Sequence, residues 1–249
     1  MENTNNNQKP IISAIILAGV LIAGAILLKG STPPPNSNDK VPITSLAPVS
    51  AEDRTLGKPD AKVTVIIYED FQCPFCGAIT GLELSSPAMK PVMDYLKKAD
   101  PNWSPSIIGI INDYVKTGKV LFVYRDFPFL GAESFRSAEA ARCAGDQGKF
   151  WEYHDYLYSH QNGENEGAFS DINLKSFAKT LKLDTKSFDK CLDEGTHTQA
   201  VLDSKTEGSS AGVTGTPKGF ILRDGKIVGT IDGAESYSTV KPKIEKALQ

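Results

Sequence analysis

The stretch VTVIIYEDFQCPFC sets a near-continuous apolar run, residues 63–68, directly before two cysteines three apart. A run of that length and β-branched content lies inside a sheet, covered on both faces. A C-x-x-C that follows such a strand and opens a helix has a definite chemical use. The unpaired N–H groups and the dipole at the helix N-terminus stabilise a thiolate on the first cysteine. Cys73 is then the nucleophile, and Cys76, one turn further in, resolves mixed disulfides. Pro74 suits the first helical turn because it has no N–H to satisfy there. Two other readings stay open at this point. Half of a zinc site would need a second ligand pair at comparable spacing, whereas Cys143 and Cys191 stand apart from each other. Two inert buried thiols would lack an electropositive, partly exposed setting.

A second apolar run, residues 120–125 in KVLFVYRDF, follows the turn residues Thr117 and Gly118. With a helix between them, the two runs predict a βαβ unit. Nearer the C-terminus, GFILRDGKIVGTID reads as two strands joined at Asp224-Gly225, a strong hairpin signal, so the sheet is expected to be mixed. Between these halves the pattern turns helical from 134 to about 193, in SFRSAEAARCAGDQ, KFWEYHDYLYSHQ, NLKSFAKTLKL and DTKSFDKCLDE. Asp184 is placed to N-cap the last of these. A final helix at KPKIEKALQ is expected to hold Pro242 in its first turn. The net charge of −3, with both signs mixed along the chain, leaves no electrostatic footprint for nucleic acid.

Residues 11–28, IISAIILAGVLIAGAILL, form an uncharged apolar run between Lys9 and Lys29, long enough to approach a bilayer crossing as a helix. The run leads into KGSTPPP with no A-x-A cleavage pattern, so an uncleaved signal-anchor is expected. Lys9 on one side faces Lys29 and Lys40 on the other, and the positive-inside rule leaves the orientation open. Gly19 and Ala23 make a small-xxx-small pair available for helix association. The expected organisation is a cytoplasmic tail over 1–10, a transmembrane anchor over 11–28, a Pro-rich linker over 29–57 and a folded domain over 58–249.

Four stretches in one order, VTVIIYEDFQCPFC, GKVLFVYRDFPF, AEAARCAGDQGKFWEYHDYLY and GVTGTPKGFIL, resemble the DsbA-type branch of the thioredoxin-like proteins. The resemblance covers nearly everything from about Thr55 onward. It implies an α/β thioredoxin-like fold with an inserted helical domain at about 134–210, and the chemistry of exported thiol:disulfide oxidoreductases with no cofactor. By position, Cys73 matches the attacking cysteine and Cys76 the resolving one, with Pro74 and Phe75 between them at the substrate. Pro217 in GTP matches the cis-proline beside the active site. The backbone of Thr216 is then free to pair with an extended substrate segment, as in strand addition. Relatives with cysteines at matching places imply a structural disulfide between Cys143 and Cys191, contributing about 4 kcal/mol under the chain-entropy model. No metal is expected: His154, His160 and His197 make no metal pattern with each other. His154, among Phe150, Trp151, Tyr153 and Tyr156, reads as part of a core.

The chain also departs from the family. Relatives place a buried acid six residues before the first cysteine to assist proton transfer to the resolving thiol, and Ile67 stands there instead. Glu69 lies on the same side of the strand by alternation. Phe75 replaces a histidine that in some relatives supports the thiolate, which leaves the direction of electron flow open. Residues 78–105, with Pro87, Pro91, Pro101 and Pro105, exceed what the family needs and predict an extra helix or helical hairpin near the active-site helix. Within it Met89, Met93 and Trp103 cover a core or shape a partner surface. Lys218-Gly219 after Pro217 changes the groove. The expected protein is a single-pass membrane oxidoreductase with its catalytic domain extracytoplasmic. It would introduce disulfides into unfolded or cysteine-containing exported proteins and be reoxidised by a quinone-linked membrane partner. A reductase or isomerase using the same site, and a non-catalytic peptide-binding chaperone, are the alternatives.

Overall fold

The structure is a computed structural model that describes residues 46–84 and 86–249. The expected tail, the 11–28 anchor and the linker as far as residue 45 lie outside the described residues. Among those described, no helix is long and apolar enough to cross a membrane.

The apolar runs form β2 (Val63–Glu69) and β3 (Val120–Asp126), parallel neighbours with Val63 opposite Val120. The other edge of β2 pairs antiparallel with β4 (Lys218–Arg223), which turns into β5 (Lys226–Asp232). Asp224 and Gly225 both take positive φ, 48° and 75°, as a tight hairpin turn of this kind requires. β1 (Arg54–Leu56) adds antiparallel to β3, completing the order β1-β3-β2-β4-β5. Side chains alternate across this mixed sheet. Val63, Val65 and Ile67 enter one core with Phe122 and Tyr124, while Ile66 and Tyr68 enter the other with Val123 and Phe220.

β1 corrects the expected linker boundary at residue 57, and the cause is a buried charge. The guanidinium of Arg125 meets both carboxylate oxygens of Asp53, at 2.7 and 3.0 Å, and donates to the carbonyls of Ala47 and Pro48, each at 3.1 Å. It also reaches Tyr68 Oη at 3.1 Å and Glu207 Oε1 at 3.3 Å. A buried guanidinium is tolerated only with such partners, so the segment before β1 is fastened to the sheet through β3.

Helix α1 (Pro74–Thr80) follows β2 and ends at Gly81, whose φ of 80° is left-handed. The stretch after it contains a 3-10 turn, Pro87–Met89, and α2 (Lys90–Ala99), the extra helix expected there. Met89 and Trp103 are buried, and Trp103 Nε1 donates to the Ala234 carbonyl at 2.8 Å. An unanticipated helix, α3 (Ser106–Ile110), continues through a π turn over Ile111–Val115 and buries Ile107, Ile110 and Tyr114, a helical spacing. The inserted block contains α4 (Ala132–Gly145), α5 (Phe150–Ser159), α6 (Asp171–Thr180), α7 (Thr185–Asp193) and α8 (Thr198–Ser210). Asp184 caps α7 by accepting from the N–H groups of Lys186 and Ser187. A disulfide between Cys143 and Cys191, 48 positions apart, joins α4 to α7.

The last helix, α9 (Tyr237–Leu248), begins earlier than expected, so Pro242 lies inside it rather than in its first turn. Tertiary contacts set that start. Tyr237 N–H donates to the Ser104 carbonyl at 2.9 Å, and Ser104 N–H donates to Ser236 Oγ at 3.1 Å. These bonds and the burial of Val240 and Ile244 offset the backbone bond that proline cannot make.

Asp53→Ala leaves Arg125 with Glu207 as its only remaining carboxylate among the described ion pairs. The expected loss is about 3 kcal/mol, the lower end for a broken buried pair, read as a fall in the urea midpoint of unfolding at unchanged slope.

Candidate active site

The C-x-x-C is positioned by a short loop with its backbone fully engaged. Asp70, the first residue past β2, is buried; its Oδ1 accepts from Gln72 N–H at 2.9 Å and its Oδ2 from Phe129 N–H at 2.9 Å and Leu130 N–H at 3.2 Å. Burial raises the Asp70 pKa, and those backbone donors oppose the rise. Cys73 N–H donates to the Asp70 carbonyl at 2.9 Å. From the insertion, Gln161 Nε2 donates to the Phe71 carbonyl and, at 3.2 Å, to the Cys73 carbonyl. Neither Asp70 nor Gln161 was anticipated, because their partners are backbone groups that a sequence pattern does not mark.

Cys73 occupies the N-cap position of α1, Pro74 opens the helix, and Cys76 sits within its first turn. Cys73 and Cys76 are the two free cysteines. Their thiols are displaced in opposite directions. Cys73 falls below the ordinary thiol range, first because the Cys76 side chain donates to it, against the pull of burial, with further support from the Thr216 side chain and the N–H groups of Cys76 and Phe75. Burial pushes Cys76 well above the ordinary range, and the negative charges of Cys73 and Glu69 push it further. The deprotonated sulfur therefore belongs to Cys73 and the proton to Cys76.

The peptide bond Thr216-Pro217 is cis, as the family resemblance implied. As a thiol, Cys73 donates to the Thr216 carbonyl, with Sγ 3.3 Å from the oxygen. Thr216 Oγ1 is buried and has no hydrogen-bond partner among the described residues, which leaves its proton available to a Cys73 thiolate. Thr216 and Pro217 floor a groove of about 310 Å³ whose walls include Phe129, Thr214 and Lys218. Lys218 is drawn aside by an ion pair with Asp232. Phe75 is half-buried, and its ring meets that of exposed Tyr95 edge-on at 6.1 Å.

Ile67 is buried in the core and carries no proton. Glu69, on the same side of β2, is buried as well; its Oε2 accepts from Tyr158 Oη at 3.1 Å and lies 3.7 Å from His154 Nε2. Its Oε1 is buried with no partner among the described residues. Burial pushes His154 toward neutrality, but the carboxylates of Asp155 and Glu69 outweigh it and raise its pKa. Burial holds the Tyr158 hydroxyl protonated, so it remains a donor to Glu69. His154 does pack among aromatic rings, Phe71, Tyr124 and Trp151 included, as expected of a core residue. It faces Glu69 as well, and that second role was missed. Alternation in β2 was the one available signal for Glu69; His154 and Tyr158 reach it from α5.

The family model described as Thioredoxin matches residues 50–86 and 101–246. The chain belongs to the thioredoxin family. The match passes over residues 87–100, the stretch that holds the 3-10 turn and α2, so this thioredoxin-family chain carries an addition there. Among curated proteins it is 28% identical over 182 residues to the Na(+)/H(+) antiporter NhaA 1 of Salinispora arenicola, covering 72% of this chain and 23% of that protein. It thus spans about a quarter of the length of the first such relatives. It is 24% identical over 201 residues to the probable disulfide bond formation protein D of Bacillus cereus, covering 79% of each. The crystal structure of oxidised BdbD from Bacillus subtilis aligns with a TM-score of 0.62 and 23% identity, over 79% of this chain and 93% of that one. That of alpha-DsbA1 from Wolbachia pipientis aligns at 0.64 and 19%, over 82% and 94%. The fold is therefore that of the DsbA-like thioredoxins, helical insertion included.

Alkylation of the reduced protein by iodoacetamide tests the division between the two sulfurs. Cys73 is expected to react with a midpoint below that of an ordinary thiol, while Cys76 stays unmodified through neutral pH. Thr216→Val is expected to slow Cys73 below its midpoint by roughly tenfold, equivalent to about 1.4 kcal/mol, the worth of one hydrogen bond to a charged group. Peptide mapping of the alkylated chain reads both.

Proposed function

We propose that this chain is a membrane-anchored, extracytoplasmic thiol:disulfide oxidoreductase that introduces disulfides into exported proteins through Cys73 and Cys76. The observation that carries this reading is the opposed bias of the two thiols at the start of α1, with Cys73 Sγ 3.3 Å from the Thr216 carbonyl. A stabilised Cys73 thiolate favours the reduced pair, and a pair that is stable when reduced is oxidising as a disulfide.

The cycle starts from the Cys73–Cys76 disulfide. A substrate thiolate attacks Cys73 Sγ, the intramolecular S–S bond breaks, and Cys76 leaves with the electron pair and takes a proton. A second substrate thiolate then attacks the substrate sulfur of the mixed disulfide, and Cys73 leaves as its stabilised thiolate. The substrate loses two electrons and the pair gains two. Glu69, with one oxygen unpartnered and its charge acting on Cys76, exchanges the proton of that thiol, and Tyr158 and His154 hold the carboxylate in place. An extended substrate segment lies in the groove over Thr216 and Pro217, and Pro74 and Phe75, between the two cysteines, meet the substrate at the thiols.

The cellular setting is read from the sequence and from the second cysteine pair. The uncharged run over 11–28 supplies the anchor, with the tail over 1–10 inside the cell and the domain outside. The Cys143–Cys191 disulfide fits an oxidising compartment. A quinone-linked membrane protein would reoxidise the Cys73–Cys76 pair, as in the family this chain resembles.

The reduction potential of the full chain against glutathione, with Cys73 trapped by alkylation, tests the direction. The expected value lies well above the glutathione couple; a value near that of thioredoxin, about −270 mV, would make the protein a reductase. Cys76→Ser is expected to accumulate mixed disulfides with substrate proteins, and Cys73→Ala to accumulate none. Full activity in Cys73→Ala would identify a peptide-binding chaperone instead.

A further inference from the structure

At the opposite end of the insertion from Gln161, three elements bring metal-binding atoms together. Cys143 and Asp146 are three apart at the C-terminal end of α4, a spacing that places them on one face. Cys191 comes from α7, and His197 from the turn that starts α8. The ligand atoms of Cys143, Cys191 and His197 all lie within 4.8 Å of one another. His197 Nε2 is 2.7 Å from Asp146 Oδ2, and Cys191 Sγ is 3.8 Å from the same oxygen. Cys143 forms a buried wall, whereas the Asp146 side chain is 48% exposed and leaves a path from solvent.

Two thiolates, one imidazole and one carboxylate are a four-ligand set suited to tetrahedral zinc. With Zn–S near 2.3 Å and Zn–N and Zn–O near 2.0 to 2.2 Å, the ligand atoms of such a site stand about 3.3 to 3.8 Å apart. Cys191 Sγ and Asp146 Oδ2, 3.8 Å apart, already have that spacing, whereas His197 Nε2 and Asp146 Oδ2, at 2.7 Å, and the two bonded sulfurs must move apart to admit the ion. The disulfide is what closes it to metal. We propose that reduction of Cys143–Cys191 converts this cluster into a Zn2+ site formed by Cys143, Cys191, His197 and Asp146.

The step balances. A dithiol reductant supplies two electrons and two protons, is itself oxidised to a disulfide, and leaves Cys143 and Cys191 as thiols. Zn2+ then displaces both thiol protons to solvent. The hydrogen bond from His197 Nε2 to Asp146 Oδ2 is given up: the Nε2 proton moves by way of solvent to Nδ1, freeing the Nε2 lone pair for the ion, and Asp146 contributes the carboxylate oxygen so released. Oxidation of the two thiolates back to the disulfide removes two ligands and releases the ion. The cycle exchanges one covalent tie between α4 and α7 for a metal tie between the same helices, so the insertion keeps a cross-link in both redox states. Nothing in it depends on turnover at Cys73.

The test uses the full chain carrying Cys73→Ser and Cys76→Ser, so that the remaining thiols are Cys143 and Cys191. After reduction by a phosphine that is then removed under argon, Co2+ is added as the spectroscopic probe. One equivalent is expected to bind with a thiolate-to-cobalt charge-transfer band and tetrahedral visible absorption, both lost on adding Zn2+ or on reoxidation. His197→Ala and Asp146→Ala are each expected to weaken Co2+ binding by at least about tenfold. His197→Gln, which keeps a polar side chain beside Asp146, should lose affinity equally. In the wild-type full chain, Zn2+ is expected to raise the melting temperature of the reduced protein and leave the oxidised protein unchanged. Absence of the charge-transfer band overturns the proposal. So does a band indifferent to both His197 and Asp146, or equal stabilisation of the oxidised form by Zn2+.

Discussion

β2 hydrogen-bonds along both edges, parallel to β3 and antiparallel to β4, and it is buried on both faces. A strand so enclosed has one register: a slip by one residue would exchange Val65 and Ile67 with Ile66 and would turn Glu69 away from Cys76. Everything chemical lies at or just past its C-terminal end. Glu69 is its last residue, Asp70 fastens the loop, and Cys73 and Cys76 follow within one helical turn. The insertion then closes over this end from the far side, with Gln161 bonded to the loop and Tyr158 to Glu69. The site is thus pinned from both sides by backbone and carboxylate bonds rather than by the cysteines themselves.

The two sulfurs show how neighbouring positions in one helix acquire different chemistry. Burial alone would raise both thiols, since each is almost wholly enclosed. The difference comes from where donors and charges lie. Cys73 faces the Cys76 thiol, the Thr216 hydroxyl and two backbone N–H groups, all able to donate to an anion. Cys76 shares the Thr216 hydroxyl, but it faces Cys73 and the carboxylate of Glu69, both of which oppose a second negative charge and, with burial, prevail. The two thiols therefore titrate as a unit, with the first proton lost from the Cys73 side.

What the sequence displays is local. The apolar runs, the hairpin at Asp224-Gly225, the Asp184 cap and the thiol pair at a helix start are all written in adjacent residues, and each stands in the fold where its pattern places it. The misses share a cause, dependence on distant partners. β1 exists because Arg125, far along the chain, needs Asp53. The early start of α9 at Tyr237 depends on Ser104. His154 and Tyr158 read as aromatic core by composition, and only the packing of α5 against β2 turns them toward Glu69.

The stretch outside the family match lies beside the active-site helix. Residues 87–100 contain α2, and α2 carries Tyr95, whose ring meets Phe75 inside the thiol motif. Met89, in the turn before α2, is buried in the core and anchors the addition there. The addition is thus rooted in the fold, while Tyr95 stays exposed beside the active-site helix. The thiols, the cis-proline and the groove floor have counterparts in the motifs by which the chain resembles its family. The aromatic surface beside Phe75 is made partly from an element that the family match does not include. The two parts are therefore separable here: the thiols and their donors belong to β2, α1 and Thr216, whereas the aromatic face beside Phe75 lies partly on an element outside the family match.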